Sequence, residues 1–401
     1  MPLPGAAPLN VRVDKWGPED LYDRRDVTRS EAAGREGQLR WSWSTLAYLM
    51  ICPRRFQLAV LHQMVSAESS PPLQIGIAVH TGMETFWRRV LWEDTQGSSG
   101  EKWRDDLGHV DHVARLGIDD ALMVVDGDPR VGPAERMIAH KVINNYGFAA
   151  ASTQVAKWRP LWIEGVLDVD LVAMFDGADP EDDNDTRLLR QVWPREVYGP
   201  PPWPEVVRRA LPLISWEVRP DLVVEEIPRN GAEDPHPGIW VVDHKTIYAA
   251  RPQEFVAYRM DGQVVGNILG ARLSRFPEVQ GFIVNLLGKT DEPTFFHGYV
   301  TPSRRLQREF ALEVGRRQQE YRRNYAAAAW PRVYTRGACV DQYGLCGYFE
   351  PCEEGGGALP VASGTYPGFV HVGEPSKDEE RETFIDQLLS DAKQRAKAKG
   401  I

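Results

Sequence analysis

Asp243, His244 and Lys245 are the residues whose type and spacing most clearly predict chemistry. They come directly after the β-rich run GIWVV at 238–242, and side-chain alternation along a strand puts Asp243 and Lys245 on the same face. A carboxylate beside an ammonium group can hold a divalent cation and offset the charge that grows on phosphate oxygens. Because Asp-x-Lys occurs by chance in many chains, further ligands are needed to support a site.

A second carboxylate, Asp221, lies upstream in the strand-like sequence WEVRPDLVVEE. This spacing suits the neighbouring strand of a hairpin. Two converging carboxylates can bind Mg²⁺ or Mn²⁺, because hard cations prefer oxygen ligands and keep waters for the substrate and the nucleophile. An acid pair at a strand end is more often a solvated turn, so the convergence of both acids is the prediction to test.

A helix predicted at about 76–92 places His80, Glu84 and Trp87 on one face. The structural alternative for His80 is a buried, hydrogen-bonded core histidine. An earlier helix is predicted to begin with Ser44 as its cap and to be interrupted at Pro53, which puts Cys52 at a helix junction.

The elements that position these residues predict an α/β fold with a mixed central sheet flanked by helices. Helices are expected at 253–274 and at about 303–329. The predicted strands lie in the runs LWIEGVLDVDLVAMF, ISWEVRPDLVVEEI, GIWVVDHKTIYAA, QGFIVNLLG and FFHGYVTP.

The ordered combination of these segments resembles the RecB-type branch of the PD-(D/E)XK nuclease superfamily over roughly residues 40–352. The segments that carry the resemblance are WSWSTLAYLMICPRRF, GIAVHTGMETF, RPDLVVEE, VVDHKT and the downstream Gln263. The resemblance implies a restriction-endonuclease-like core. It also implies residue roles: metal ligation by His80, Asp221, Asp243 and the His244 carbonyl, water activation or charge stabilisation by Lys245, and a place near the site for Gln263.

Two positions leave alternatives open within this resemblance. Glu164 is a secondary candidate for an acid at the head of a strand, and Asp168 and Asp170 compete for that assignment. Asn267 stands where the family's Q-x-x-x-Y helix motif has its tyrosine, and an asparagine can still form hydrogen bonds there.

The four cysteines, Cys52, Cys339, Cys346 and Cys352, predict a four-thiolate site if the C-terminal segment packs against the first helix. Such a set suits a 4Fe-4S cluster or a structural Zn²⁺. The absence of a close C-x₂₋₄-C pair favours iron–sulfur. The resemblance points the same way, since related iron–sulfur nucleases place one cysteine before the nuclease motifs and three after them. Four unconnected thiols are the alternative.

The formal net charge of −10 excludes a uniformly cationic nucleic-acid surface. Nine arginines against three glutamates between Ser303 and Arg336 predict either a solvated helix face or a phosphate-binding one. The candidate DNA contacts are Arg54, Arg55, Arg88, Arg89, Asn267, Arg304 and Arg305.

The resulting hypothesis is a Mg²⁺- or Mn²⁺-dependent deoxyribonuclease, expected from the resemblance to act as an exonuclease on DNA ends or single strands. The alternatives are a non-catalytic DNA-binding or scaffold module and a site- or structure-specific endonuclease. No G-x-x-x-x-G-K-[ST] loop is present, so unwinding would require a helicase or recombination protein as partner. The sequence has no apolar run long enough to span a membrane and no secretion signal, which predicts a cytoplasmic protein.

The expected organisation has three parts. Residues 1–36 form a flexible arm. Residues 37–352 form the nuclease domain, with a helical insertion at 93–158 and a C-terminal cluster segment at 303–352. Residues 353–401 form a linker and a terminal helix.

Overall fold

The structure is a computed structural model of the 401-residue chain. It describes residues 41–61, 64–66, 70–96, 100–171, 215–227, 236–290, 294–326, 329–333, 335–341, 344–353 and 369–371. The predicted N-terminal arm and the predicted terminal helix lie outside these residues, as does a run with six acids in ten residues at 176–185.

The central sheet has five strands in the order β2-β5-β6-β7-β8. The strands are β2 (Trp158–Ile163), β5 (Leu222–Glu226), β6 (Gly238–Ile247), β7 (Val279–Gly288) and β8 (Phe295–Val300). Only the β6–β7 pair is parallel and the other pairs are antiparallel. The expected mixed sheet flanked by helices is therefore confirmed.

Three long helices form a layer on one face of the sheet: α3 (Pro71–Gln96), α4 (Leu107–Gly127) and α5 (Pro133–Ala150). Their apolar residues pack with Leu222, Val224 and Val242 of the sheet. The predicted helical insertion thus shares one core with α3, because α4 packs against α3 and α5, and these two helices contact the sheet.

The opposite face of the sheet is covered by α1 (Trp43–Ile51), α7 (Gly262–Ser274) and α8 (Arg304–Ala326). The alternate strand residues Val223, Val241 and Val284 belong to this second core, as the two-residue period of a strand requires. The first helix is capped by Ser42, whose hydroxyl accepts a hydrogen bond from the Thr45 N–H at 3.4 Å. The predicted cap at Ser44 is therefore wrong by two residues, and α2 (Pro53–Phe56) follows Cys52 as expected.

Two of the predicted strands are each split by a turn. The run from Trp158 divides into β2 and β3 (Leu167–Asp170), and the run from Ser215 divides into β4 (Ser215–Val218) and β5. Strands β3 and β4 pair with each other in a small separate sheet. The two breaks fall at Glu164 and Asp221, and both residues contribute to the site described below.

The connection from β6 to β7 is a crossover, as parallel neighbours require. It contains a 3₁₀ turn (Pro252–Glu254), the short helix α6 (Phe255–Tyr258) and α7. The single helix predicted at 253–274 is interrupted because Asp261 starts a new helix, its carboxylate accepting a hydrogen bond from the Gln263 N–H at 2.7 Å.

The C-terminal described segments return to the N-terminal part of the fold. They comprise α9 (Arg336–Cys339), the hairpin β9 (Val340–Asp341) and β10 (Gly344–Leu345), α10 (Phe349–Glu353) and β11 (Phe369–His371). Strand β11 pairs with β1 (Met64–Ser66), so part of the predicted linker is strand. In the residues that can be described, no helix has the length and apolar character needed to cross a membrane.

Candidate functional site

Asp221 directly precedes β5, at the point where the main-chain pairing of β5 with β6 ends. The last β5–β6 pair is Leu222 with Val242. Beyond it, Asp221 Oδ2 accepts a hydrogen bond from the His244 N–H at 2.6 Å. The two acid-bearing strands are adjacent, as the hairpin interpretation required.

His80 reaches Asp221 from helix α3. Its Nδ1 lies 3.2 Å from Asp221 Oδ2, and about a third of its side chain remains exposed. His80 is therefore neither a fully buried core residue nor unpaired. Its ring and the His244 N–H both contact the same oxygen atom, Asp221 Oδ2.

Glu164 completes a group with His80 and Asp221. It occupies the turn after β2 with a φ of 50°, a conformation that is uncommon for a non-glycine residue, and its N–H donates to the Asp221 carbonyl at 3.1 Å. One ligand atom from each of the three residues lies within 4.8 Å of the other two, and no other such group of three is found among the described residues. The competing acids Asp168 and Asp170 are exposed on β3.

Asp243 forms a second group with Lys245 and Gln263. Lys245 Nζ lies 2.6 Å from Asp243 Oδ2 and donates to Gln263 Oε1 at 3.0 Å. Gln263 Nε2 in turn donates to Asp243 Oδ1 at 3.1 Å. Asp243 and Lys245 share a face as strand alternation predicts, and α7 supplies the amide that bridges them.

The three acids differ in their protonation because their surroundings differ. Burial raises the pKa of Glu164 to about 8, with a further contribution from Asp221. Burial also raises the pKa of Asp243 to about 6, although Lys245 opposes this. For Asp221 the penalty of burial is outweighed by His80, and its pKa falls to about 2. Without a metal ion, Asp221 has the lowest pKa of the three acids, so it is the most fully ionised of them at neutral pH.

The two basic groups are held in their charged forms. Burial by itself lowers the pKa of His80, but Asp221 outweighs it and raises the value to about 9. Burial likewise opposes the charge of Lys245, yet Asp243 and Asp221 raise its pKa above the ordinary value. At neutral pH, His80 therefore carries a proton that a metal ion must displace, and Lys245 is an ammonium group rather than a base.

A buried polar chain lies behind His244, on the face of β6 opposite Asp243 and Lys245. The His244 Nδ1 lies 3.0 Å from Asn285 Nδ2, and Asn285 Oδ1 accepts a hydrogen bond from Gln154 Nε2 at 3.1 Å. Gln154 Oε1 accepts from the Tyr146 hydroxyl at 2.5 Å. Burial lowers the pKa of His244 to about 4, so its ring is neutral and Nδ1 accepts. These hydrogen-bonded side chains thus connect the helical layer to β6, the strand that carries the site.

Tyr258 is a neighbour of the site that sequence reasoning missed. Burial raises the pKa of its phenol, Lys245 opposes this rise and Asp243 adds to it, so both groups are close. Asn267, at the position of the family's motif tyrosine, is 5% exposed. Its Nδ2 has no hydrogen-bond partner among the described residues. The sequence signal for Tyr258 was a tyrosine just before Asp261, the cap of α7. Its closeness to Lys245 and Asp243 depends on how the crossover between β6 and β7 folds.

The four cysteines do not form a compact group, although Cys352 interacts electrostatically with Cys52 and Cys339. Burial raises the pKa of the Cys352 thiol, which Arg332 and Arg54 oppose and to which Cys52 and Cys339 add. No three cysteine thiols of the described chain lie within 4.8 Å of one another. A single Zn²⁺ with Zn–S bonds of about 2.3 Å needs sulfur atoms closer than this, so the structure shows no assembled zinc site, and it shows no assembled iron–sulfur site either.

Several of the predicted DNA contacts are engaged inside the protein. Arg54 is buried and interacts with Cys352, and Arg55 lies over the Tyr48 ring at 5.0 Å. Arg88 pairs with Glu84 at 2.8 Å and Arg89 with Asp120 at 2.7 Å. These four are bound to intramolecular partners, which single-sequence charge patterns do not reveal.

The arginine helix α8 presents a more exposed surface. Arg304 is exposed, and Arg305 pairs with Glu309 at 2.8 Å while remaining largely exposed. Farther along the helix, Arg316 and Arg317 both bind Glu313. Glu309 and Glu313 thus neutralise part of the positive charge of α8. Arg304 and Arg305 stay accessible at the start of this helix.

A mixed sheet with a His/Glu/Asp group beside an acid–lysine pair defines an α/β protein with a candidate divalent-metal site. The sequence profile of the PD-(D/E)XK nuclease superfamily matches residues 40–266, more than half of the chain. The chain belongs to this superfamily, which implies a metal-dependent nuclease. The matched region includes His80, Glu164, Asp221, Asp243, Lys245 and Gln263. No curated protein matches the chain.

Proposed function

We propose that this protein is a Mg²⁺- or Mn²⁺-dependent deoxyribonuclease of the RecB type that hydrolyses phosphodiester bonds at DNA ends or in single strands. The observation that carries the proposal is the placement of the His80, Glu164 and Asp221 ligand atoms within 4.8 Å of one another, beside the Asp243–Lys245 pair. Oxygen-rich donor sets of this kind fit hard divalent cations.

The ion would be held by Asp221, Asp243 and His80, with the His244 carbonyl as a further ligand and Glu164 as an additional acid. A bound Mg²⁺ or Mn²⁺ supplies Lewis acidity and a water of lowered pKa. Asp221 is kept ionised by His80 and is oriented by the His244 N–H.

Lys245 acts in this proposal through its charge. Its pKa is raised against the effect of burial, mainly by Asp243, so the ammonium group stabilises negative charge on the phosphate rather than removing a proton from water. Gln263 holds Lys245 and Asp243 in one orientation through its two hydrogen bonds. Between the two roles expected for Lys245, these contacts favour charge stabilisation.

Cleavage of end-labelled linear DNA and of circular single-stranded DNA, each with Mg²⁺ or Mn²⁺, tests the proposal. We expect Asp243→Ala and Lys245→Ala to reduce cleavage by roughly 100-fold or more while DNA binding persists. Asp168→Ala is the matched control, because this acid is exposed on β3, and it should cleave normally. An exonuclease spares the circle and an endonuclease cuts it. A native protein that binds DNA but cuts neither form would support the scaffold alternative.

We also propose that the four cysteines hold a 4Fe-4S cluster that stabilises the fold. The electrostatic interaction of Cys352 with Cys52 and Cys339 supports this, as does the Tyr348 hydroxyl, which donates a hydrogen bond to the Met64 carbonyl at 2.8 Å and ties the C-terminal segment to the N-terminal part of the fold. A four-iron cluster separates its thiolates more widely than one zinc ion does. Anaerobically purified protein should absorb visible light and lose this absorbance in Cys352→Ser. Colourless protein containing stoichiometric zinc would contradict the cluster.

A further inference from the structure

The connection between β6 and α7 carries a concentration of exposed apolar side chains. Tyr248 is 80% exposed, Met260 77% and Val256 69%. Tyr248 and Met260 are the most exposed large apolar residues in the part of the chain that the structure describes. Single exposed apolar residues are normal, but several in one short segment indicate a binding surface. We call residues 248–261 the rim segment.

The backbone of the rim segment is anchored at both ends. The Lys289 N–H donates to the carbonyls of Ile247 at 2.9 Å and Tyr248 at 3.1 Å, and the Ala250 N–H donates to Thr294 Oγ1 at 3.2 Å. At the other end, the Asp261 carboxylate accepts a hydrogen bond from the Gln263 N–H at 2.7 Å and the Asp261 carbonyl accepts one from the Val265 N–H at 3.1 Å. The exposed side chains therefore project from a backbone that is fixed by hydrogen bonds, which lowers the entropy cost of binding.

The rim segment lies between two residues of the candidate site along the chain, Lys245 and Gln263. Tyr248 follows Lys245 by three residues, and Met260 precedes Gln263 by three, so each lies within roughly 11 Å of a site residue along the chain. Tyr258, between them, is close enough for Lys245 and Asp243 to affect its pKa. The rim segment therefore adjoins the candidate site.

The chemistry of the rim segment matches unpaired nucleotides. Arg251 and Arg259 are exposed in the rim segment, together with Glu254 and the half-buried Asp261. The two arginines are the groups that can bind phosphates next to surfaces for bases. A duplex keeps its bases stacked inside and would set Tyr248 and Met260 against charged backbone. Unpaired bases offer the flat apolar faces that such side chains bind.

We propose that Tyr248, Val256 and Met260 bind unpaired bases next to the scissile phosphodiester, so that the rim segment selects single strands and frayed ends. This proposal rests on the nuclease function proposed above. It assigns the preference for single strands to residues outside the metal-binding group, and it places that contact on the crossover rather than at the buried Asn267.

The test compares a Tyr248→Ala/Met260→Ala protein with a control double variant, Met137→Ala/Phe148→Ala. The control residues lie on α5 and are 69% and 67% exposed, so they match in exposure but not in position. Steady-state cleavage is measured on a single-stranded oligonucleotide and on the same sequence as a blunt duplex. We expect KM for the single strand to rise about 10-fold or more in the rim variant, with kcat within about twofold. The control variant should resemble the native protein on both substrates, and the rim variant should resemble it on the duplex.

A second readout separates this proposal from the nuclease function. Without metal, the native protein should quench a single-stranded oligonucleotide carrying 2-aminopurine differently from the rim variant, because stacking changes the fluorescence of that base. If the native protein cleaves but the rim variant behaves like the control, the rim proposal is wrong. If the native protein never cleaves, the nuclease function fails and the 2-aminopurine signal alone decides the rim proposal. Dimerisation of the native protein that the rim variant abolishes would make the surface a protein interface and overturn base binding.

Discussion

Metal binding to this site should release protons, and the size of the effect follows from His80. Its pKa of about 9 means that at pH 7 roughly one metal-free molecule in a hundred has a neutral His80 ring. Only the neutral ring can ligate a metal. Removing the proton at pH 7 costs about 3 kcal/mol, so metal affinity should rise about tenfold per pH unit between pH 7 and about 9. Glu164, with a pKa of about 8, must also lose a proton to bind the metal below pH 8. The rise of metal affinity with pH is therefore steeper there.

Calorimetric titration of Mn²⁺ into metal-free protein at pH 7, 8 and 9 measures this linkage. Two buffers with different heats of ionisation give the number of protons released. His80→Gln should flatten the pH dependence by about one proton. His109→Gln should leave it unchanged, because His109 lies on α4 near Glu93. An affinity of the native protein that is independent of pH, or an unchanged slope in His80→Gln, would refute the reasoning.

Three further predictions concern stability and positioning. Asn285→Leu removes the partner of His244 and Gln154 and should lower the free energy of unfolding by about 1–3 kcal/mol, with a lower kcat in refolded protein; equal stability in urea titrations would contradict it. Gly270→Ala adds a methyl group that collides with Val218 and should cost about 1–3 kcal/mol, whereas Gly337→Ala, with open space around it, should not. Glu164 has a raised pKa, so its contribution to stability is present below its ordinary pKa and lost as pH rises through about 8. Glu164→Gln should therefore melt higher than the native metal-free protein at pH 9 but bind Mn²⁺ more weakly, and a lower melting temperature would count against it.

Local patterns were sufficient for the residues placed by strand and helix periodicity. Alternation predicted that Asp243 and Lys245 share a face, and their 2.6 Å contact agrees. The hairpin interpretation predicted that the strand after Asp221 neighbours β6, and it does. The helix carrying His80 was also expected, although it is longer than the predicted range. These features depend on short-range geometry, which a single sequence encodes directly.

The features that sequence analysis missed depend on long-range packing. Gln154 and Asn285 meet although they are 131 residues apart, and no local pattern pairs them. Glu164 was named as a candidate acid at the head of a strand, but the positive φ that turns the chain towards Asp221 was not predicted. The burial of Arg54 and Asn267 likewise follows from how helices pack, since both residue types are usually exposed.

Anomalous X-ray diffraction from crystals of the protein with bound Mn²⁺ tests the central claim most directly. We predict a manganese peak at coordination distance from Asp221 and His80, with Asp243 or Glu164 as a further ligand. A manganese peak bound elsewhere, with His80 still paired to Asp221 and no ion between them, would contradict the proposed site.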